Sequence, residues 1–210
     1  MKKYTPKRVI AVVVSVLFIG ISVSLFVQSD LGTDPFSSMN LGISSALGIP
    51  YGITQLSMNI LLFIPVLLFA RQKIGIGTIG NMVFVAFIAD FMKMAYGWIG
   101  FSPEGWPMRI FLMVLGVIVL SLGASLYFVA DLGVAPYDAI GPMISDATHI
   151  HFRWVRIGTD LICVLVSFVT GGPIGVGTLV TALCMGPLVS FFDRTVSEKL
   201  VLGKVSRPTN

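Results

Sequence analysis

Charge is scarce in this chain. Asp, Glu, Lys and Arg make up 11% of its 210 residues, against roughly a quarter in a soluble domain. So few charges cannot cover the surface of a water-facing globule, and that class is excluded. Cysteine and histidine are scarcer still, at two each. Cys163 and Cys184 lie inside apolar runs and read as buried free thiols, not as a disulfide framework. His149-x-His151 puts two imidazoles on an extended stretch with no Cys or Glu nearby to complete a metal site, so a surface pair at the membrane edge is preferred and no metal is expected. The motifs G-x-S-x-G and H-E-x-x-H are missing, and no His lies within an apolar run to act as a base. The Gly-x-Gly-Thr stretches lack the Lys of a phosphate loop and read as small residues for close helix packing. The sequence predicts neither an enzyme nor a cofactor.

Apolar residues are abundant, at 55% of the chain. Runs near 9–27, 53–70, 75–96, 109–130, 154–170 and 175–192 are each long enough, or nearly so, to cross a hydrocarbon core of about 30 Å. The first run follows Lys2, Lys3, Lys7 and Arg8 and has no small-residue cleavage site, so it reads as a span and not as a signal peptide. The net charge of +4 comes from short basic clusters at span ends, which points to orientation in a bilayer and not to nucleic acid. The predicted fold class is all-α and polytopic, with the lipid bilayer as its first partner.

An internal duplication organises the chain. Ser24–Phe36 aligns with Ser125–Tyr137 at an offset of 101, and both copies read S-L-[FY]-x-x-x-D-L-G-x-x-P-[FY]. The same offset pairs Tyr51 with Phe152, Gln55 with Arg156 and Asn59 with Asp160. At an offset of 100, Ile74–Thr78 meets Ile174–Thr178 as I-G-[IV]-G-T. Residues 1–100 form the first repeat and 101–210 the second, within one membrane domain. Each holds three long runs and one shorter segment, near 34–49 and 136–150. A helix of that length rises about 24 Å, too little to span, so a re-entrant half-helix is predicted. Thr33 or Asp34 is its expected N-cap and Pro35 its first helical residue. Three spans per copy makes the repeats inverted.

With the N-terminus cytoplasmic, Lys2, Lys3, Lys7, Arg8, Arg71, Lys73, Arg153, Arg156, Arg194, Lys199, Lys204 and Arg207 lie inside, leaving only Lys93 and Arg109 outside. If the short segments also spanned, giving eight helices and parallel repeats, Arg71 and Lys73 would exchange places with Lys93 and Arg109, and the balance would not change. Both arrangements stay open on charge. Segment length and polarity favour six spans with both termini cytoplasmic.

At the two D-L-G-x-x-P and two I-G-[IV]-G-T motifs, the chain resembles the YczE/YitT-type family of bacterial integral membrane proteins. The likeness is clearest in Asp30–Phe36 and Asn40–Ser44, and the second copy departs at Ala135, which stands where Asp34 does. The resemblance implies a small cytoplasmic-membrane protein and carries no biochemical activity with it.

Ionisable groups inside spans are costly, so they are the candidate site. Arg156 and Asp160 sit one helical turn apart, and Gln55 and Asn59 repeat that polar stripe in the first copy. A solute site between the repeats and an interhelical hydrogen-bond cluster both explain the stripe. Asp34 and Asp138, at the half-helix starts, are further candidates, as is Asp90, deep in the third run with Lys93 as its candidate partner. Asp30, Gly32 and Pro35, with Asp131, Gly133 and Pro136, read as half-helix turns: glycine for a permissive backbone, Asp to accept from exposed N–H groups. The functional expectation is a transporter or channel for a small solute or ion. The alternative is a non-transporting accessory protein for a partner complex; an intramembrane enzyme lacks its nucleophile. The solute and any homo-oligomer are left open by the sequence.

Overall fold

A computed structural model describes residues 4–203; Lys2, Lys3, Lys204 and Arg207 lie outside the described residues. The fold is all-α. Its helices are α1 (Pro6–Ser29), α2 (Pro35–Leu47), α3 (Tyr51–Phe69), α4 (Ile76–Trp98), α5 (Gly105–Ala130), α6 (Pro136–Thr148), α7 (Phe152–Thr170) and α8 (Val176–Phe192), the last followed by a π-turn (Asp193–Ser197) and α9 (Glu198–Leu202). Five stretches are long and apolar enough to cross a membrane: α1, α3, α4, α5 and the unbroken run Val176–Leu202. The expected fifth span, α7, has the 19 residues of α3 but carries Arg153, Arg156 and Asp160, so it fails on polarity and not on length. α2 and α6, at 13 residues each, rise about 20 Å.

Many large apolar side chains face outward, and the interior mixes apolar residues with buried serine, threonine and asparagine, a pattern that suits packing in lipid. Of the two thiols only Cys163 is buried; Cys184 is exposed, because α8 has little covering it, which corrects the sequence expectation.

The centre is the pair α1 and α5. Ser15, Ser22 and Ser29, spaced by seven, are fully buried along α1, and each hydroxyl donates to the carbonyl three residues back at 2.7 Å. Their sequence counterparts on α5 are Gly116, Gly123 and Ala130. A seven-residue spacing keeps such a seam on one side of a helix, and small residues let the backbones close. Gly116 faces the Phe26 ring, and Gly123 faces Phe18 and Ile19. Thus the late part of α1 meets the early part of α5, and the two helices run antiparallel.

Ion pairs close both ends of this pair. Arg109 reaches Asp30 at 3.0 Å; at the other end Arg8 lies 3.9 Å from Asp131 and donates to the Ala130 carbonyl at 3.4 Å. Asp30 and Asp131 were expected to accept from backbone N–H groups. Instead each is a left-handed C-cap (φ 53° and 49°), and its exposed carboxylate meets an arginine of the other copy.

The copies also dock on each other through backbone. The Gly77 N–H donates to the Leu132 carbonyl at 3.0 Å, and the Gly177 N–H to the Leu31 carbonyl at 2.7 Å. At each site the Gly-x-Gly-Thr start of one copy lies in the D-L-G turn of the other. The turn needs Gly32 and Gly133 for their left-handed backbone (φ 92° and 112°). Thr78 and Thr178 accept from the N–H of Gly75 and Gly175 at 3.1 and 3.3 Å. The motif's tight approach is therefore helix start to turn, not helix to helix.

A Cβ on Gly75 would fall on the Leu132 carbonyl, and one on Gly175 on that of Leu31. Gly75→Ala or Gly175→Ala should each cost about 1–3 kcal/mol by thermal unfolding in detergent. Gly97→Ala, in α4 with nothing near its added carbon, should be neutral or slightly stabilising.

Candidate functional site

The two half-helices begin at the centre of the molecule. Phe36 and Tyr137, each the second residue of its half-helix and counterparts in the duplication, stack with centroids 4.4 Å apart and planes 12° from parallel. The α2 and α6 N-termini, each partially positive, therefore face one place. Asp34 is the α2 N-cap and accepts from the Ser37 N–H at 3.0 Å and the Thr33 hydroxyl at 3.3 Å. Ala135 holds the same position on α6 and offers no cap; Asp138, in the first turn, supplies the charge instead. Each half-helix also crosses to the other copy, α2 packing on α7 and α6 on α3.

Around these starts lies a cavity of about 490 Å³. Asp34, Gln55, Asn59, Asp138, Arg156 and Asp160 all line it. The sequence predicted these six, and they come from both copies: Gln55 and Asn59 of α3 stand opposite their counterparts Arg156 and Asp160 of α7. Arg156 bridges two carboxylates, meeting Asp138 at 3.0 Å and Asp160 at 3.4 Å. Its guanidinium also lies 4.8 Å from the Tyr137 ring centre, and the Tyr137 hydroxyl donates to Asp160. Asp34 is the third carboxylate, and no ion pair reaches it among the described residues. The formal count is three negative charges against one positive.

Three buried polar groups of the wall are unpartnered, two from the first copy and one from the second. The side-chain oxygens of Gln55 and Asn59 and the Tyr127 hydroxyl are buried without a hydrogen bond. The Asn59 amide nitrogen donates to the Gln55 backbone carbonyl at 3.0 Å, which leaves its oxygen as the free acceptor. Buried polar atoms are seldom left so without a role.

Asp90 does not join this site. It lines a second cavity of about 390 Å³ with Ser24, Tyr51 and Lys93, and its carboxylate accepts from the Gly52 N–H at 2.7 Å. It thus caps the start of α3, and no ion pair links it to Lys93. His149 ends α6 in a left-handed conformation, and His151 begins α7 by accepting from the Arg153 N–H, so the pair punctuates two helices. Sequence reasoning missed Tyr137 as the hub of the charge cluster. It also missed Asn81 and Thr181, which line opposite walls at an offset of 100. The signals were the aromatic closing both D-L-G-x-x-P-[FY] copies and the polar residue three positions past each G-x-G-T.

The copies are equivalent in sequence but not in packing. α3 packs along α4, whereas α7 and α8 have little contact. Tyr51 is 5% exposed and its hydroxyl donates to Ser37; its counterpart Phe152 is 45% exposed. On α4, Met82 and Ala86 are buried, but their counterparts Ala182 and Gly186 on α8 are exposed and line the central cavity. The cavity is closed between α3 and α4 and opens between α7 and α8.

Removing Arg156 would leave Asp138 and Asp160 without their cation. Arg156→Gln should lower stability by about 2 kcal/mol, between the limits for exposed and buried pairs. Adding Asp160→Asn should recover part of that loss, read as a coupling in a double-mutant cycle of thermal unfolding.

Comparison with known proteins places the chain among membrane proteins. It is 28% identical to the uncharacterized membrane protein YczE of Bacillus subtilis, over 92% of this chain and 88% of that one. It is 24% identical to the uncharacterized protein YyaS of the same organism, over 92% and 96%. An uncharacterized protein of Haemophilus influenzae is 24% identical over 86% and 80%. No solved structure matches. Residues 6–194 match the model of a family of unknown function, DUF6198, and with the resemblance carried by its D-L-G-x-x-P and G-x-G-T motifs, the chain belongs to that family of membrane proteins.

Proposed function

We propose that this protein is a transporter for a small solute, working by alternating access between two inverted repeats in the bacterial cytoplasmic membrane. The observation that carries the reading is the unequal packing of equivalent elements around one shared polar cavity. α3 and α4 close it on one side while their counterparts α7 and α8 stand apart. A duplicated fold has a second state at hand in which the copies exchange these arrangements, and that exchange would move the opening to the other face.

The antiparallel course of α1 and α5 supports inverted repeats, because an eight-span parallel arrangement would have these counterparts run the same way. α7 then serves as the sixth span, with Arg156 and Asp160 turned to the cavity and its apolar face to lipid. With both termini cytoplasmic, the lining residues Phe152 and Ser190 belong to the cytoplasmic ends of α7 and α8, and Lys93 to the opposite end of α4. The state described here then faces the cytoplasm.

The test needs no knowledge of the solute. Single cysteines at Gly186 and its counterpart Ala86, in a Cys184→Ser background with buried Cys163 as baseline, are labelled in membrane vesicles with a charged thiol reagent. Gly186→Cys should label quickly from the cytoplasmic side. Ala86→Cys should label more slowly, and from the opposite side. An Ala86→Cys thiol as inert as Cys163 from both sides would sink alternating access.

A further inference from the structure

We propose that the central cavity takes a small organic ammonium ion, a protonated amine with an apolar body. The inference rests on the transport reading and names the chemical class of its solute. Charge comes first. Asp34, Asp138 and Asp160 face the cavity with Arg156 as their cation, already shared between two of them. The cavity therefore carries a formal excess of two negative charges in a membrane interior. An anion would deepen that excess, and a neutral solute would leave it. A cation offsets it.

Acceptors come second. Asn59 is 1% exposed and Gln55 4%; both residues line the cavity, and the side-chain oxygen of each is buried in its wall with no donor. An ammonium group brings up to three N–H donors, enough for the Asp34 carboxylate and these two oxygens. An anion has none to offer. The partial positive charge of the α2 N-terminus does not call for an anion either, because Asp34 already caps it.

Size and lining come third. The cavity is far larger than a monovalent ion, even one that keeps a few water molecules at about 30 Å³ each. Among the described residues no group of three or more His, Cys, Asp or Glu is placed to hold a metal ion. Between the polar groups the wall is apolar, with Val85, Leu120, Phe128 and Met185 beside the stacked Phe36 and Tyr137. Such a wall suits a hydrocarbon body attached to the charge.

The experiment uses the full chain in detergent and reads the melting temperature against concentration of n-butylammonium and 2-phenylethylammonium chlorides. n-Butanol, sodium butyrate and sodium and potassium chlorides at equal ionic strength are the comparisons. At least one amine should raise the melting temperature saturably, as a ligand of the folded state does, and the others should not. Asp34→Asn keeps an N-cap of equal quality. It should therefore melt near the native protein yet bind the amine about tenfold more weakly or worse, the loss of one charge-assisted hydrogen bond. Asn59→Leu should weaken binding as well, and it carries the test should Asp34→Asn fail to fold. Four results would each overturn the inference: stabilisation by butyrate or butanol instead of the amines; equal stabilisation by the simple salts; amine binding untouched by both substitutions; or no shift with any compound. None of these decides whether the protein alternates, which the thiol labelling reads independently.

Discussion

The structure depends on backbone docking between the two copies. Each Gly-x-Gly-Thr helix start lies in the D-L-G turn of the other copy, with a 2.7 or 3.0 Å hydrogen bond and no room for a side chain. Inside a bilayer a turn cannot leave its carbonyl to water, so it must find a donor in the protein. The helix start has the opposite need, since its first N–H groups lack partners within the helix. Placing one on the other satisfies both. Because the arrangement occurs twice, it ties the end of α1 to the start of α8 and the end of α5 to the start of α4. The half-helices that follow the turns are thereby aimed at a common centre.

That centre is where charge can be kept. Carboxylates and a guanidinium are costly among lipid-facing helices, and here they lie between the half-helix starts, in reach of one another, of Tyr137 and of the Ser37 amide. The cluster is asymmetric although its positions are not. The second copy supplies Arg156 and Asp160 where the first supplies Gln55 and Asn59, so one wall neutralises itself and the other is left with unpartnered acceptors. The uneven packing follows the same division. The closed corner at α3 and α4 is held by the Asp90 carboxylate on the Gly52 N–H, and the second copy has Ser190 and Arg153 at those positions. There the Arg153 N–H is taken by His151 instead.

Much of this was legible before any coordinates. The long helices, the two short helices opened by proline and all the charged residues of the cavity, with Gln55 and Asn59, can be read from hydropathy and the repeat. Asp90 was misplaced because depth along a helix does not say which way a side chain faces. Asp30 and Asp131 were read as local caps because their partners, Arg109 and Arg8, are 79 and 123 residues away. Yet Arg8 and Arg109 are themselves 101 apart, so the duplication marks them as a pair to anyone who extends it to the start of α1.

The sequence by itself determined that the chain is helical and made for a membrane, that it is built from two copies, and where each copy turns. These are properties of composition, periodicity and spacing, carried by neighbouring residues or by a constant offset. Only the tertiary structure decided that α1 and α5 run antiparallel, that Phe36 stacks on Tyr137, that Asp90 serves a different cavity, and which copy stands open. Two copies of one pattern favour the same local structure. What separates them is the packing each finds against the other, and that depends on contacts between residues about a hundred positions apart.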